Sequence, residues 1–307
     1  MSTYHVPVML KECLEGLNIN PEGIYVDVTF GGGGHSRAIL ERLTTGKLYA
    51  FDQDADAKAQ SKLIESKNFT FIDANFRNIK QYLRLFGAKK VDGILADLGI
   101  SSYQIDTPER GFSTRFNADL DMRMNQNGAV TAKNIINEYS VDRLHKILGM
   151  YGEIHNARTS AQAIYTARLN KSIDTINDLK GVLQKHTPRG KENKYFAQVF
   201  QALRIEVNEE MLALEEFLQQ TPEVLNPGGR LVVMAYHSLE DRLVKNFIRS
   251  GKFSGDVEKD LFGNDLKPLE SITRKAIEAS DEEVQQNPRA RSAKLRIAER
   301  SESVENK

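Results

Sequence analysis

The stretch "YVDVTFGGGGHSRAILERL", from Tyr25 to Leu43, leads from alternating apolar residues through four consecutive glycines into an amphipathic segment. Glycine loses more backbone entropy on folding than other residues, so such a run is expected where the chain turns sharply or another group approaches the backbone. The segments on either side have the periodicities of a strand and of a helix. Together they predict an α/β fold with a ligand site at the glycines.

Composition limits the class of protein. The chain has 307 residues, 40% of them hydrophobic, which is enough for one large or two ordinary domains. No apolar run approaches the length of a membrane span and no secretion signal is visible, so we expect a cytoplasmic protein without membrane contact. The single cysteine, Cys13, excludes an intrachain disulfide and a multi-cysteine zinc site, and we expect no metal.

The charge is balanced overall but not locally. Between Thr131 and Gly190 there are nine Lys and Arg residues against five Asp and Glu, and between Gln286 and Arg300 there are five against one. Each segment therefore has an excess of positive charge. Ordinary solvated helix faces are one interpretation of this excess, and contact with a polyanion is the other.

Strand-like and helical segments alternate in the first third of the chain. This β-α-β alternation predicts a doubly wound, mostly parallel sheet with helices on both faces. The predicted strands are Ile24–Phe30, Leu48–Asp52, Phe69–Asp73 and Val91–Leu98. The predicted helices are Ser36–Leu43, Ala55–Ser66 and Phe76–Phe86.

A long irregular stretch and a helical segment interrupt this pattern. Loops as long as the one after Leu98 are usually lids or binding loops. The helices that follow are predicted at Thr131–Leu148, Ile154–Leu169 and Ile173–Lys185, with no strand between them. The sheet then resumes after a long helix at Tyr195–Gln220, with the strand "RLVVMAY", the helix "HSLEDRLVKNFI" and an antiparallel edge pair "SITRKAI" and "AKLRIAER". We therefore expect a core of residues 1–107 and 191–307, interrupted by a lid and inserted helical domain at 108–190.

Two acidic residues at strand ends indicate the cofactor class. Asp52 closes the second strand eighteen positions after Gly34, close to the spacing of a carboxylate that binds ribose hydroxyls. NAD and S-adenosylmethionine both use such a site. The dinucleotide spacing would place a glycine at Ser36 or Arg37, which disfavours NAD. Asp97, followed by a turn of small residues, stands where a doubly wound methyltransferase presents the acceptor atom.

The chain resembles, over nearly its whole length, the bacterial ribosomal RNA small subunit methyltransferase H family. The matching stretches, in order, are "HVPVML", "TFGGGGHS", "FDQD", "ILADLGISS", "ERGFS", "LDMRM", "FQALRIEVNEE", "NPGGRL", "HSLEDR" and "NPRARSAKLRIAER". The resemblance implies a Rossmann-like class I S-adenosylmethionine-dependent methyltransferase core with an inserted all-helical domain. It further implies methylation of the exocyclic N4 of a cytidine in the decoding region of 16S rRNA, within an assembled or nearly assembled 30S subunit.

The resemblance also implies cofactor contacts at particular positions. These are Gly33, Gly34, His35, Asp52, Phe76, Asp97 and Gln104. Taken from the residues alone, Phe76 fits a core aromatic equally well, and His35 fits a helix-capping residue. The chain departs from the family pattern at Tyr103, where proline is common, and at Val199, where threonine is common. Tyr103 frees the backbone that proline would fix, which affects the loop that carries Gln104.

The residues predicted to serve catalysis and RNA binding fall into three groups. Asp97 and the backbone carbonyls after it are the predicted acceptors for the N4 hydrogens. His237, at the end of a strand, either orients the cytosine or caps the next helix. The predicted RNA-binding residues are Arg110, Phe112, Arg115, Phe116, Arg123, Arg289 and Arg291. Pairing of these arginines with Glu109, Asp119 or Asp121 is the alternative interpretation.

Two other functions are compatible with the fold. An RNA-binding assembly factor could keep the architecture without turnover, because fold alone does not determine function. An NAD-dependent oxidoreductase would share the glycine turn and the acid on the second strand. Only a methyltransferase is expected to bind S-adenosylhomocysteine tightly and NADH not at all.

Overall fold

The computed structural model describes residues 7–301, which excludes the first two residues of "HVPVML". The chain forms two compact units. One consists of the segments up to Gly99 and from Met211 onward, and the other is Ile100–Glu210. Within residues 7–301, no helix combines the length and the apolar character needed to cross a membrane.

The first unit is built on one eight-stranded sheet. Its strands are β1 (Ile24–Asp27), β2 (Lys47–Asp52), β3 (Phe69–Asp73), β4 (Val91–Asp97), β5 (Leu225–Ala235), β6 (Leu269–Ser271), β7 (Ile277–Glu278) and β8 (Lys294–Arg300). The strand order is β3-β2-β1-β4-β5-β8-β6, and β7 also pairs with β8. Strands β1 to β5 pair with one another in parallel, and β8 is antiparallel to β5, β6 and β7. The doubly wound, mostly parallel sheet is therefore confirmed.

Thirteen α-helices accompany these strands in the described residues. They are α1 (Leu10–Leu17), α2 (Gly34–Leu40), α3 (Ala55–Ser61), α4 (Ile79–Leu85), α5 (Ser102–Asp106), α6 (Ala132–Glu138), α7 (Val141–Met150), α8 (Ala157–Arg168), α9 (Ile176–Leu183), α10 (Glu192–Asn208), α11 (Glu210–Val224), α12 (Ser238–Ser250) and α13 (Asp281–Gln286). Helices α5 to α10 belong to the second unit.

Both faces of the sheet are buried, as a doubly wound fold requires. Successive residues of a strand point to opposite faces, so Ile94 and Leu95 of β4 enter different apolar clusters. Ile94 packs in the cluster that contains Phe217 of α11, and Leu95 in the one that contains Leu17 of α1. This packing fixes the strand ends that carry the aspartates.

The second unit has an apolar core of its own. Residues from α6 to α10 fill it, together with Phe112, Leu120 and Met122 from the irregular stretch. Its limits differ from the predicted 108–190. Tyr195, Phe196 and Val199 of α10 are buried in this core, which is why the unit extends to Glu210.

Several predicted helices and strands differ in detail from the structure. Thr131–Leu148 is divided into α6 and α7, because Ser140 has an extended backbone and caps α7. The predicted helix Tyr195–Gln220 is divided at Glu209, which has a left-handed backbone (φ 49°). The strand "AKLRIAER" lies between β5 and β6 rather than at the sheet edge, and only the two ends of "SITRKAI" pair with it.

Candidate active site

Three aspartates end neighbouring parallel strands at the same edge of the sheet. Asp27 ends β1, Asp52 ends β2 and Asp97 ends β4. Strand β1 pairs with β2 on one side and with β4 on the other, and the chain order reverses there. In open α/β sheets the crevice at such a reversal is the usual ligand site. The three carboxyl groups therefore converge on the expected position of a ligand.

The glycines of this run have two different surroundings, tight packing at some positions and open space at another. Gly33 has a left-handed backbone (φ +77°), and a Cβ there would lie 2.6 Å from the ring of Phe30. A Cβ on Gly34 would lie 2.4 Å from Pro7. At Gly32, by contrast, a Cβ would meet no atom of residues 7–301 within 4 Å. Two glycines thus allow the turn to pack, and a third leaves room beside the backbone.

Asp52 links this turn to the second strand. Its Oδ2 accepts a 2.8 Å hydrogen bond from the N–H of Gly31, and its Oδ1 accepts one of 2.9 Å from the N–H of Asp54. Desolvation raises the pKa of the Asp52 carboxyl to about 6, even though both backbone bonds favour the charged form. Each carboxylate oxygen keeps a further lone pair for another donor, such as a hydroxyl.

Asp97 is held at its main chain and at its side chain. Its N–H donates a 2.6 Å hydrogen bond to Oγ1 of Thr29, and the hydroxyl of Tyr236 donates one of 2.8 Å to its Oδ1. Nδ1 of His35 lies 3.7 Å from its Oδ2. Desolvation raises the pKa of Asp97 to about 7, while the Tyr236 hydrogen bond opposes the rise. A quarter of the side chain remains exposed, so this carboxyl is accessible to a ligand.

His35 and Asp27 form the buried support of this site. Asp27 accepts a 2.6 Å hydrogen bond from the hydroxyl of Ser36 and one of 3.1 Å from the N–H of Thr29. Nε2 of His35 lies 3.2 Å from the carbonyl oxygen of Val8. A carbonyl only accepts, so Nε2 carries the proton and burial lowers the pKa of His35. The imidazole is buried and does not cap α2, and its predicted contact with a cofactor stays a prediction.

His237 caps a helix, as one of its two interpretations predicted. It precedes α12, and its Nδ1 accepts a 3.4 Å hydrogen bond from the N–H of Glu240. The carboxylate of Glu240 accepts a 3.3 Å hydrogen bond from the N–H of His237, which completes a capping box, and one of 2.9 Å from the N–H of Tyr236. The predicted role of His237 in orienting a base stays a prediction.

Comparison with known proteins assigns this geometry to a family. A sequence profile described as the MraW methylase family matches residues 2–301. The chain belongs to the MraW methylase family. The predicted resemblance and the predicted enzyme class, a methyltransferase, are thereby confirmed.

The curated relatives of this MraW methylase family member are similar to it over nearly their whole length. The ribosomal RNA small subunit methyltransferase H of Cytophaga hutchinsonii is 65% identical over 297 residues, which are 97% of this chain and 99% of that protein. The protein of the same name from Parabacteroides distasonis is 55% identical over 301 residues, 97% of this chain and 98% of the relative. Among solved structures, an rRNA methylase from Streptococcus thermophilus matches 98% of this chain and 99% of its own, with 14% identity and a TM-score of 0.41.

Two predicted cofactor residues of this MraW methylase family member have structural contacts of their own. Phe76, in a short 3₁₀ helix after β3, is half-buried, and its ring lies 5.3 Å from that of Phe217. Gln104 lies in the second unit, and its Oε1 accepts a 3.0 Å hydrogen bond from the N–H of Ser101. That bond and its reciprocal form a capping box on α5. Cofactor contact by either side chain stays a prediction.

The predicted RNA-binding residues of the second unit divide into buried and exposed groups. Arg110 and Phe112 are each 7% exposed, so they serve the packing of the loop and cannot present a free surface. Arg110 donates to the carbonyl oxygens of Arg123 and Met124. Arg123 forms a bidentate pair with Asp121, as the alternative interpretation predicted.

The other predicted RNA contacts are more accessible. Arg115 and Phe116 are exposed, and the guanidinium carbon of Arg115 lies 5.4 Å from the centroid of the Phe116 ring. Arg115 also pairs with Asp106 at 3.0 Å. In the first unit, Arg291 is exposed and Arg289 is half-buried, both in a 3₁₀ helix before β8. These four residues stay candidates for RNA contact.

Sequence reasoning missed Tyr236 as a site residue. It follows β5, and the sheet order places β5 beside β4, so its hydroxyl reaches Asp97. A tyrosine at the end of a predicted parallel strand was the available signal. Its relation to Asp97 depends on which strands are neighbours, and that order is not visible in a local pattern.

Proposed function

We propose that this chain uses S-adenosylmethionine to methylate small-subunit ribosomal RNA, at the exocyclic N4 of a cytidine in the decoding region of 16S rRNA. Family membership supports the methyl transfer, and the names of the relatives support the RNA substrate. The observation that carries the proposal is the position of Asp97, whose partly exposed carboxyl ends β4 at the crevice of the sheet. Burial raises the pKa of this carboxyl to about 7, which agrees with such a role.

The residues at this crevice fit the cofactor. Gly32 leaves open space that a side chain would fill. Asp52 has lone pairs for the two ribose hydroxyls, and the half-buried ring of Phe76 can cover an adenine. S-adenosylmethionine, when bound, supplies an electrophilic methyl carbon on a sulfonium sulfur.

Asp97 acts on the nucleophile. The lone pair of cytosine N4 is delocalised into the ring, so the nitrogen becomes nucleophilic only when acceptors hold its hydrogens. Tyr236 occupies Oδ1 of Asp97 by a hydrogen bond, which leaves Oδ2 to accept from N4. A base whose pKa lies near the working pH is best suited to accept a proton. Burial raises the pKa of Asp97 into that range.

The turn after Asp97 offers further acceptors. The backbone carbonyls of Leu98 and Gly99 follow the carboxylate directly, and Gly99 has a left-handed backbone (φ +96°). Of the atoms in residues 7–301, a Cβ on Gly99 would come within 4 Å of the ring of Tyr236 alone. These carbonyls can hold the second N4 hydrogen while Asp97 holds the first. Orientation of this kind supplies much of the rate of a displacement reaction.

The RNA must also be opened and held. A cytidine in folded RNA has to be unstacked before its N4 can enter a pocket. Exposed cation–ring pairs such as Arg115 and Phe116 suit this task, because the ring stacks on a base and the guanidinium meets a phosphate. We assign the recognition of the 30S subunit to the second unit and to Arg289 and Arg291.

Product analysis tests this proposal. Purified protein is incubated with methyl-labelled S-adenosylmethionine and 30S subunits from a strain lacking the gene, and the RNA is digested to nucleosides. Label in N4-methylcytidine from 16S rRNA is the expected result. Label in another nucleoside would refute the site. RNA binding without any label would support an assembly factor, and binding of NADH instead of S-adenosylhomocysteine would support an oxidoreductase.

A further inference from the structure

A basic cavity lies where α12, β7 and β8 meet, in the first unit. Its volume is about 490 Å³. The charged residues that line it are Lys245, Arg274, Lys275, Glu278, Lys294 and Arg296. Five positive side chains therefore surround one negative side chain, in a protein with no net charge. A concave surface of one sign concentrates ligands of the opposite sign.

A half-buried ion pair fixes the walls of the cavity. Arg296 of β8 binds Asp241 of α12 through two hydrogen bonds, of 2.7 and 3.1 Å. Each of these side chains is only 14% exposed. Lys245 lies one helical turn after Asp241, and Lys294 lies two residues before Arg296 on the same face of the strand. The pair thus holds the two lysines on opposite walls of one cavity.

The other cations of the cavity have no carboxylate partner among the described residues. Lys245, Arg274, Lys275 and Lys294 are exposed, and none of them forms an ion pair with any residue in the range 7–301. Glu278 lies opposite Lys294 in the β7–β8 register, yet the two side chains are not paired. Four cations that converge without partners favour an external anion.

The cavity lies at the same sheet edge as Asp97. Lys294 pairs in register with Ala235, and the next residue along β5 is Tyr236, which binds Asp97. Strands β4, β5 and β8 are consecutive in the sheet. With a spacing of about 4.8 Å between strands, β8 is about 10 Å from β4. A nucleotide chain that brings a base to Asp97 can reach this distance with its neighbouring phosphates.

We infer that this basic cavity binds backbone phosphates of the RNA strand beside the nucleotide that is presented to Asp97. The inference rests on the proposed function for the identity of the RNA. Contacts from lysine and arginine side chains to backbone phosphates position a nucleic-acid strand but do not distinguish its sequence. The cavity therefore increases the affinity for RNA and aligns the strand, whichever bases flank the target nucleotide.

Charge reversal of the cavity tests this inference. The variant carries Lys245→Glu, Lys275→Glu and Lys294→Glu, and its matched control carries Lys47→Glu, Lys62→Glu and Lys67→Glu. The three control lysines are exposed in the same unit, around β2 and the segment before β3. Both variants change the net charge equally, so a long-range effect of charge would appear in both. Melting curves verify that each remains folded.

Binding of a fluorescein-labelled single-stranded RNA is then measured at several salt concentrations. Loss of one or two phosphate contacts is expected to weaken binding by about tenfold or more and to lower the slope of log K against log salt by about one to two. The control variant should retain most of the affinity. Equal losses of affinity in both variants would overturn the inference. Displacement of the RNA by inorganic pyrophosphate at a concentration well below that of the RNA phosphates would also overturn it, because it would indicate a site for small anions.

Cofactor binding separates this test from that of the proposed function. Affinity for S-adenosylhomocysteine, measured by calorimetry, should be unchanged in the cavity variant. If the wild-type protein fails to methylate 16S rRNA but the cavity variant still loses RNA affinity, the proposed reaction fails and the cavity remains a phosphate site. If methylation occurs normally and the cavity variant binds RNA as the control does, only the cavity inference fails.

Discussion

The hydroxyl of Tyr236 donates a 2.8 Å hydrogen bond to Oδ1 of Asp97. The two residues lie at the carboxyl ends of neighbouring strands, where Asp97 pairs in register with Met234. The bond favours the charged carboxylate, whereas desolvation favours the protonated one, and desolvation is the larger effect. It also leaves Oδ2 as the oxygen available to a substrate. Tyr236 is therefore a positioning residue that adjusts the pKa of the proposed acceptor.

Replacing Tyr236 with Phe should move the pH dependence of methyl transfer. Without the hydrogen bond, the pKa of Asp97 should rise from about 7 by about one unit, because such a bond to a charged group contributes about 1.5 kcal/mol. The acidic limb of kcat/KM should shift to higher pH by the same amount. Tyr25→Phe is the control, since that buried hydroxyl bonds to the N–H of Asn20. An unshifted limb in Tyr236→Phe would show that Asp97 does not govern the profile.

Asp97→Asn should change how stability depends on pH. The folded pKa of about 7 exceeds the unfolded value of about 3.9, so the folded protein binds the proton more tightly. The contribution of Asp97 to the free energy of unfolding is therefore fully present below about pH 4 and is lost as the pH rises through about 7. The Asn variant lacks this loss and should be more stable than wild type at pH 8, by up to about 4 kcal/mol for a shift of about three pKa units, with little difference at pH 4. Urea unfolding at both pH values measures this. A variant less stable than wild type at pH 8 would contradict the assignment.

Much of this site was predictable from local sequence. Four strands of the parallel region, the glycine turn and the positions of Asp52 and Asp97 follow from periodicity and spacing, which depend on near neighbours in the chain. The burial of Arg110 and Phe112 does not, because it depends on a core assembled from five distant helices. Likewise, the left-handed residue Glu209 that ends α10 gives no signal in composition. The pairing of Tyr236 with Asp97 required the strand order.

Cofactor affinity should depend on the charge of Asp52. Burial raises its pKa to about 6, so the carboxylate is charged above that pH and neutral below it. A charged acceptor binds hydroxyls more strongly, and the affinity for S-adenosylhomocysteine should fall as pH drops through about 6. Asp52→Asn should bind about tenfold more weakly at pH 8 and lose this dependence. The control is Asp54→Asn, at the capping residue of α3, which should retain both the affinity and its pH dependence. Calorimetry on the two variants measures the difference.

Two neighbouring glycines should respond differently to alanine. Gly33→Ala places a Cβ 2.6 Å from the ring of Phe30 at a left-handed backbone position, and should cost about 1–2 kcal/mol of stability. In the part of the chain that the structure describes, the Cβ of Gly32→Ala meets no atom within 4 Å, so this variant should change stability by less than about 0.5 kcal/mol. If the space beside Gly32 holds the cofactor, the Gly32 variant should nevertheless bind S-adenosylhomocysteine more weakly. Unchanged affinity would place the cofactor away from this residue.

Asparagine and alanine at His237 separate helix capping from a role in catalysis. The imidazole caps α12 through the N–H of Glu240. Asparagine is a good capping residue, so His237→Asn should keep the stability of wild type, whereas His237→Ala should lose about 1 kcal/mol. If the ring orients the cytosine, both variants should lose methyl transfer by a similar factor in single turnover, although only one is destabilised. If capping is its whole role, His237→Asn should react at the wild-type rate. Measuring unfolding and single-turnover rate on both variants therefore decides the role of His237 whichever way the activity changes.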